Sequence, residues 1–358
     1  MTGLDLVARI PERDVDLTLG VPAGRTLALL GPNGAGKSTA LAVAAGLLRS
    51  PACRVGVGGR RLDDVPTHHR GVAMLSQDPL LFPHLSVLDN VAFAPRAQGV
   101  RRSAARAAAW RWLDEVGVSG LAQRRPGALS GGQSQRVAIA RALAAEPEVL
   151  LLDEPMAALD VSVTPALRQL LRRVLAERTV LLVTHDALDA VLLADRVAVI
   201  EHGRVVEEGP TQQVLERPRS RFAARIAGLN LITGRWHGGA LEGHGLRVQG
   251  VTDGLALAEG SPAVAVFAPS AVSVFGNDPG GSPRNAWPVV VTDLEPREDR
   301  VRVRADTRLG EESLAADVTP AAVADLGLEP GVRVRFAVKA TEVTVHPAGP
   351  DPEPPASR

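Results

Sequence analysis

The sequence is poor in the groups that staple, anchor or stack. Its one cysteine, Cys53, rules out an intrachain disulfide, and 358 residues can bury a core that needs none. Tyrosine is absent, and no Phe, Tyr or Trp precedes Phe82. Lysine is almost absent: Lys37 and Lys339 are the only two among 40 basic residues. Those 40 are matched by 40 Asp and Glu, and a net charge of zero argues against a chain-wide grip on nucleic acid. No apolar run approaches the roughly 18 residues that cross a bilayer. Met1–Asp5 offers no basic region ahead of an apolar stretch, so no signal peptide is expected. Any membrane role therefore needs a partner. What is present, 45% hydrophobic and 22% charged residues, is the composition of a globular protein of two or three domains.

From Leu4 to Gly228, apolar runs of strand length alternate with Ala/Leu/Arg-rich helical stretches. Thr26–Leu30, Val149–Leu152, Val180–Val183 and Val197–Ile200 read as buried strands, and Ser38–Leu48 and Pro165–Ala176 read as helices. Such alternation argues for an α/β fold with a mostly parallel sheet covered on both faces. Between about 82 and 129 the pattern is helical only, an insertion in the α/β core. After Gly228, Gly and Pro become frequent and valine alternates with other residues, as in Val332-Arg-Val-Arg-Phe336. Period-two alternation and many turn signals predict a small all-β domain, barrel or sandwich, over 229–346. A weak repeat at an offset of about 70 residues relates Ala263–Val274 to Val332–Val345, with Gly276–Ser282 as the link. The proline-rich segment 347–358 is expected to be a disordered tail.

Gly31-Pro32-Asn33-Gly34-Ala35-Gly36-Lys37-Ser38-Thr39 fits the phosphate-binding P-loop, with the required strand before it and helix after it. Its glycines let backbone N–H groups close on phosphate oxygens, and the helix N-terminus adds a favourable dipole. Lys37 would reach the β- and γ-phosphates and Ser38 would ligate Mg²⁺. A chain that almost avoids lysine places one here, where a compact charge on a flexible stem is wanted. Val149-Leu-Leu-Leu-Asp153-Glu154 is an apolar strand ending in two carboxylates. Asp153 would orient the magnesium shell through water, and Glu154 would activate the attacking water.

Leu129-Ser130-Gly131-Gly132-Gln133-Ser134, followed by a helical run to Leu143, carries the resemblance to a family. With the motifs above, it resembles the nucleotide-binding subunits of ATP-binding cassette transporters. The resemblance implies that Ser130, Gly131, Gly132 and Gln133 face the P-loop of an opposite subunit in a homodimer. It also implies that Gln77 contacts Mg²⁺ and senses the transmembrane subunit, that Ala158-Leu159-Asp160 is the D-loop, and that His185 contacts the γ-phosphate. One element departs from the family: residues 1–30 lack the aromatic that many members stack on adenine. The guanidinium of Arg9 or Arg13 is a candidate replacement, and solvated surface charge is the alternative.

A single cassette followed by a β domain resembles importer ATPases for oxyanions, metals, polyamines or sugars. Ser282-Pro-Arg284-Asn285 before a β segment, and the length of the unit over about 285–346, resemble the molybdate importer ATPases. The implied function is ATP hydrolysis, with Mg²⁺, powering uptake of molybdate or tungstate at the cytoplasmic face of the cell membrane. Transmembrane permease subunits and, through them, an extracytoplasmic substrate-binding protein are the implied partners. The β domain is implied to bind an oxyanion or to dimerise. Sulfate, ferric iron or polyamine import are alternatives, as is a soluble cassette protein acting on ribosomes or DNA. A single P-loop and signature, with no long coiled-coil insertion, argue against the last.

Overall fold

The apolar runs Thr26–Leu30, Thr179–Val183 and Val149–Asp153 lie side by side as parallel strands, buried at nearly every position. The computed structural model describes residues 2–157, 159, 163–252, 254–307 and 313–349. Packing divides it into two units, Met1–Gln212 and Gln213–Arg358.

In the first unit a six-stranded sheet runs Arg204–Pro210, Arg196–Glu201, Thr26–Leu30, Thr179–Val183, Val149–Asp153, Val72–Leu75 from edge to edge. Every neighbouring pair is parallel except the first, an antiparallel hairpin. Strands covered on both faces need apolar residues at every position, which is why these runs do not alternate. Leu150, Leu152, Val180 and Leu182 share one cluster with helices Val87–Val91, Arg102–Glu115, Gly131–Ala144 and Thr164–Leu175. Their neighbours Val149, Leu151, Leu181 and Val183 share the other, with helix Lys37–Ala45. The P-loop helix and the helix after the signature turn therefore pack on opposite faces of the sheet.

The second face differs from the expected strand–helix alternation. It is closed largely by a four-stranded antiparallel sheet in which Val15–Pro22, Thr2–Ile10, Arg54–Val57 and Arg60–Arg61 are neighbours. Val15–Pro22 alternates buried and exposed residues throughout, the signature of a strand with one face in water. No helix among the described residues is long and apolar enough to cross a membrane.

The second unit holds two five-stranded sheets built alike. Asn230–His237 pairs with Ala240–Gly243 on one side and Pro262–Phe267 on the other, and Asn285–Pro296 pairs likewise with Val301–Thr307 and Arg333–Val338. The closing strands are exchanged: Ser273–Phe275 of the first half pairs with Arg333–Val338, and Thr344–Pro347 of the second pairs with Pro262–Phe267. A buried asparagine opens each half. Asn230 clamps the backbone N–H and C=O of Ala315 at 2.7 and 2.9 Å, and Asn285 clamps those of Gln249 at 2.8 and 2.9 Å. The two halves share one apolar core. Helix Arg221–Ala227 packs Ala224 against Leu231, Val264 and Val266 of this unit. Pro347 ends the last strand; residues 350–358 of the expected tail lie outside the described residues.

Candidate functional site

The chain turns from strand Thr26–Leu30 into helix Lys37–Ala45 through a loop that only glycine permits at two points. A Cβ at Gly31 would sit 2.2 Å from the Ile200 carbonyl oxygen, and Gly36, at φ +104°, would drive one to 2.9 Å from Val15. No side chain among the described residues caps the helix. Its first N–H groups are thus free of side-chain acceptors, the condition for receiving an anion. Asn33, Gly34 and Ser38 are exposed, while Lys37 is buried.

The Lys37 ammonium donates to the carbonyls of Gly31 and Pro32 at 2.7 and 2.9 Å. Burial holds its pKa below the ordinary lysine value, against the pull of Glu154 and Asp153. Asp153 ends the neighbouring buried strand. Burial pushes its carboxyl pKa up, the charge of Glu154 adds to this, and a hydrogen bond from Ser38 with the charge of Lys37 opposes it. A desolvated ammonium, two carboxylates and a hydroxyl thus converge beside an uncapped helix end. These groups suit a magnesium–polyphosphate complex, in which the ion takes few protein ligands and the phosphates supply the rest. No cluster of three or more His, Cys, Asp or Glu able to hold a metal alone occurs among the described residues.

Glu154 adopts φ 45°, uncommon for a residue with a side chain, and its N–H donates to Val183 O at 3.0 Å. That bond carries the carboxylate across to the next strand's end, where His185 Nδ1 lies 3.4 Å from Glu154 Oε2. Glu154, His185, Met156, Thr184 and Arg168 line a cavity of about 340 Å³. A larger groove of about 640 Å³ lies at the opposite, N-terminal ends of these strands. Ligands of open α/β sheets bind beyond the carboxyl ends of the strands, so the smaller cavity has the better-placed chemistry.

Gln77 is exposed just past strand Val72–Leu75, whose Leu75 pairs with Leu152 beside Asp153. The glutamine therefore stands at the same end of the sheet. Ser130 caps helix Gly131–Ala144 in a reciprocal box: its hydroxyl accepts from Gln133 N–H at 3.4 Å, and its own N–H donates to Gln133 Oε1 at 3.0 Å. Ser130 and Gly131 remain exposed, and a Cβ on Gly132 would meet Val163 at 2.9 Å. Asp160 lies outside the described residues. Of the candidate adenine partners, Arg9 is paired with Asp16 at 3.0 Å, whereas Arg13 donates to Thr39 Oγ1 at 3.4 Å, against the P-loop helix.

Several residues to which the motifs assigned no role brace the site. Buried Gln135 donates to Pro155 O at 2.8 Å, tying the signature helix to the turn after Glu154. Arg141 donates to the carbonyls of Pro79 and Leu80 at 2.8 Å each and lies over the Phe82 ring. Asn90, wholly buried, accepts from Phe82 N–H at 2.8 Å and donates to Ser86 O at 3.0 Å, which fixes the loop between them.

A family model for the ABC transporter matches residues 15–157, and one for the TOBE domain matches residues 281–345. The chain is 50% identical over 369 residues to the molybdenum import ATP-binding protein ModC of Mycobacterium tuberculosis, covering 97% of this chain and 98% of that protein. It is 41% identical to the molybdate/tungstate import ATP-binding protein WtpC of Thermococcus kodakarensis, over 65% of this chain and 72% of that one. The Fe(3+) ions import ATP-binding protein FbpC 1 of Rhizobium meliloti is 43% identical over 60% of this chain and 61% of its own. A solved dimeric ATP-binding cassette, in a post-hydrolysis state bound to ADP and Pi, superposes with a TM-score of 0.52 at 30% identity. It covers 58% of this chain and 98% of its own.

Proposed function

The chain belongs to the ATP-binding subunits of ABC transporters, and from that premise we propose that it is the ATPase of a molybdate importer. The observation that carries the cargo is the end-to-end match to a molybdenum import protein, β unit included. The ferric-iron relative matches 60% of the chain.

In this reading residues 31–39 hold the ATP phosphates, with Lys37 toward the β- and γ-phosphates. Ser38, Asp153 and Gln77 would hold Mg²⁺, which supplies charge neutralisation at the β- and γ-oxygens. Glu154 accepts the proton of the attacking water, and His185, 3.4 Å from it, steadies the γ-phosphate and the carboxylate together. Ser130, Gly131, Gly132 and Gln133 complete the site of a second copy. Support comes from the packing of their helix on the face of the sheet opposite the P-loop helix, and from the dimeric neighbour. Asp160 is assigned to the same interface.

The permease docks on the loop after Gln77. Leu80 is 66% and Phe93 46% exposed; Arg141 holds the Leu80 carbonyl, and Phe93 lies against the ring of Phe82, whose backbone Asn90 holds. An oxyanion binds the β unit near Ser282 and Arg284. Asn285 of that segment is spent on the Gln249 backbone, so it frames the site and leaves Arg284, which is exposed, to meet the anion.

The test is uptake by membrane vesicles carrying the chain with its permease and binding protein. Molybdate should accumulate with ATP, and sulfate or ferric iron should compete weakly. Glu154→Gln should stop uptake and slow ATP turnover by about 10²–10⁴-fold, since an amide cannot take the water's proton. Preferred uptake of sulfate or ferric iron would overturn the cargo, and near-normal turnover would remove Glu154 from its role.

A further inference from the structure

His185 is held by residues on either side of it, and those residues are held by one guanidinium. The His185 side chain is 62% exposed, so packing does not fix its ring. Its two neighbours are fixed instead. Thr184 Oγ1 accepts from Asp186 N–H at 3.1 Å and donates to Asp189 Oδ2 at 3.1 Å. Asp186 caps helix Ala187–Leu193 by accepting from Leu188 N–H at 2.7 Å. Arg168 then joins both carboxylates: its Nε meets Asp189 Oδ1 at 2.5 Å and its Nη2 meets Asp186 Oδ2.

Asp189 is 5% exposed and Arg168 is largely covered. A planar fork bridging two carboxylates in such a place has a fixed geometry, which a lysine cannot reproduce. Removing it leaves two like charges facing each other with poor solvation, a large penalty that only movement of one of them relieves. Asp186 is the half-exposed one, and it is bonded directly to His185. Arg168 belongs to helix Thr164–Leu175, so the arginine makes the position of this helix and that of His185 one variable.

We propose that Arg168 is a positioning residue for ATP hydrolysis, acting through Asp186, Asp189 and Thr184 to hold His185 against Glu154. The proposal rests on the role given to His185 above. It predicts which step fails when the arginine is lost. Nucleotide binding at the P-loop survives, and turnover drops because His185 is misplaced; misplacement by about 1 Å can cost roughly 10²-fold.

The experiment is a double-mutant cycle on the full chain, reading steady-state ATP turnover and the KM for ATP. Arg168→Ala should lower kcat by roughly tenfold or more with KM changed by less than about threefold. In the His185→Ala background the same change should cost less than about twofold further, because the route through His185 is already lost. Arg168→Lys, which can serve one carboxylate, should fall between wild type and alanine. Multiplying losses, or an Arg168→Ala turnover within about twofold of wild type, overturns the proposal. Should the alanine chain not fold, Arg168→Lys is read in the same cycle, with a loss beside His185 expected and a loss in its absence decisive against. A His185→Ala chain at the wild-type rate is a different result. It removes the role of His185 itself and takes this proposal with it.

Discussion

Lys37 shows how much of the site is decided by single residues. A sequence that uses arginine almost everywhere keeps lysine where a point charge must sit inside a backbone loop, on the Gly31 and Pro32 carbonyls. A guanidinium would not fit that space with its five donors satisfied. The base end of the nucleotide is the opposite case, since the chain lacks the aromatic that would stack there. Arg13, which donates to Thr39 on the P-loop helix, is the proposed replacement, for Arg9 is occupied by Asp16. Stacking of a base is worth roughly 1–3 kcal/mol where alanine substitution has removed it. At about 1.4 kcal/mol per tenfold, Arg13→Ala should weaken ATP binding by roughly 5- to 150-fold. Arg9→Ala should be nearly silent, as an exposed ion pair contributes little. Phosphate contacts do not read the base, so the wild-type chain should favour ATP over GTP by less than about 100-fold in competition titrations. A stronger preference would mean that another element recognises adenine.

At the scale of elements, what the sequence made legible was what lies contiguous in it. The P-loop, the strand ending in Asp153 and Glu154, the signature turn and His185 each carry their context within a few residues. The bracing groups do not: Arg168 reaches Asp189 across 21 positions and Gln135 reaches Pro155 across 20. No local pattern announces such partners. Four strands of the six-stranded sheet were readable because they are apolar at nearly every position, whereas the short edge strand Val72–Leu75 and the charged edge strand Arg204–Pro210 were not read. The antiparallel sheet beside it was not foreseen, although Val15–Pro22 alternates buried and exposed residues, and periodicity does not say which strand pairs with which. The β unit makes the same point. Similar strings about 70 residues apart, Ala263–Val274 and Val332–Val345, expose the repeat, while the exchange of closing strands between halves appears only in the pairing. Asn230 and Asn285 tie each half to the other. Truncating Asn230 strands the buried N–H and C=O of Ala315, at about 1–3 kcal/mol for each group left unpaired, whereas the Gln249 groups freed by truncating Asn285 are only partly buried and can reach water. Asn230→Ala should therefore lower the denaturant midpoint of the full chain's β-unit transition more than Asn285→Ala. A larger loss for Asn285→Ala would mean that exposure of the stranded backbone does not set the cost.

At the scale of the molecule, the proposed function gives one chain two incomplete halves of a hydrolysis site. The P-loop, Asp153, Glu154 and His185 stand at one end of the sheet, and the signature turn begins a helix packed on the sheet's other face. Two copies facing each other would complete both sites, and the surface near Leu80 and Phe93 proposed for the permease would then be carried by each copy. Hydrolysis would then take place between chains. ATP turnover by mixtures of two inactive variants, Ser130→Arg and Lys37→Ala, measures this. Ser130→Arg fills the space meant for the opposing γ-phosphate, and Lys37→Ala empties the P-loop of its charge. A mixed dimer carries both lesions in one site and leaves the other intact. Each variant alone should be inactive, Ser130→Arg should still bind ATP as a monomer, and turnover should return on mixing, toward roughly a quarter of the wild-type rate if half the dimers are mixed and one site fires alone. No recovery at any ratio, with Ser130→Arg unable to bind ATP as a monomer, would place the signature in its own chain's site and rule out hydrolysis between chains.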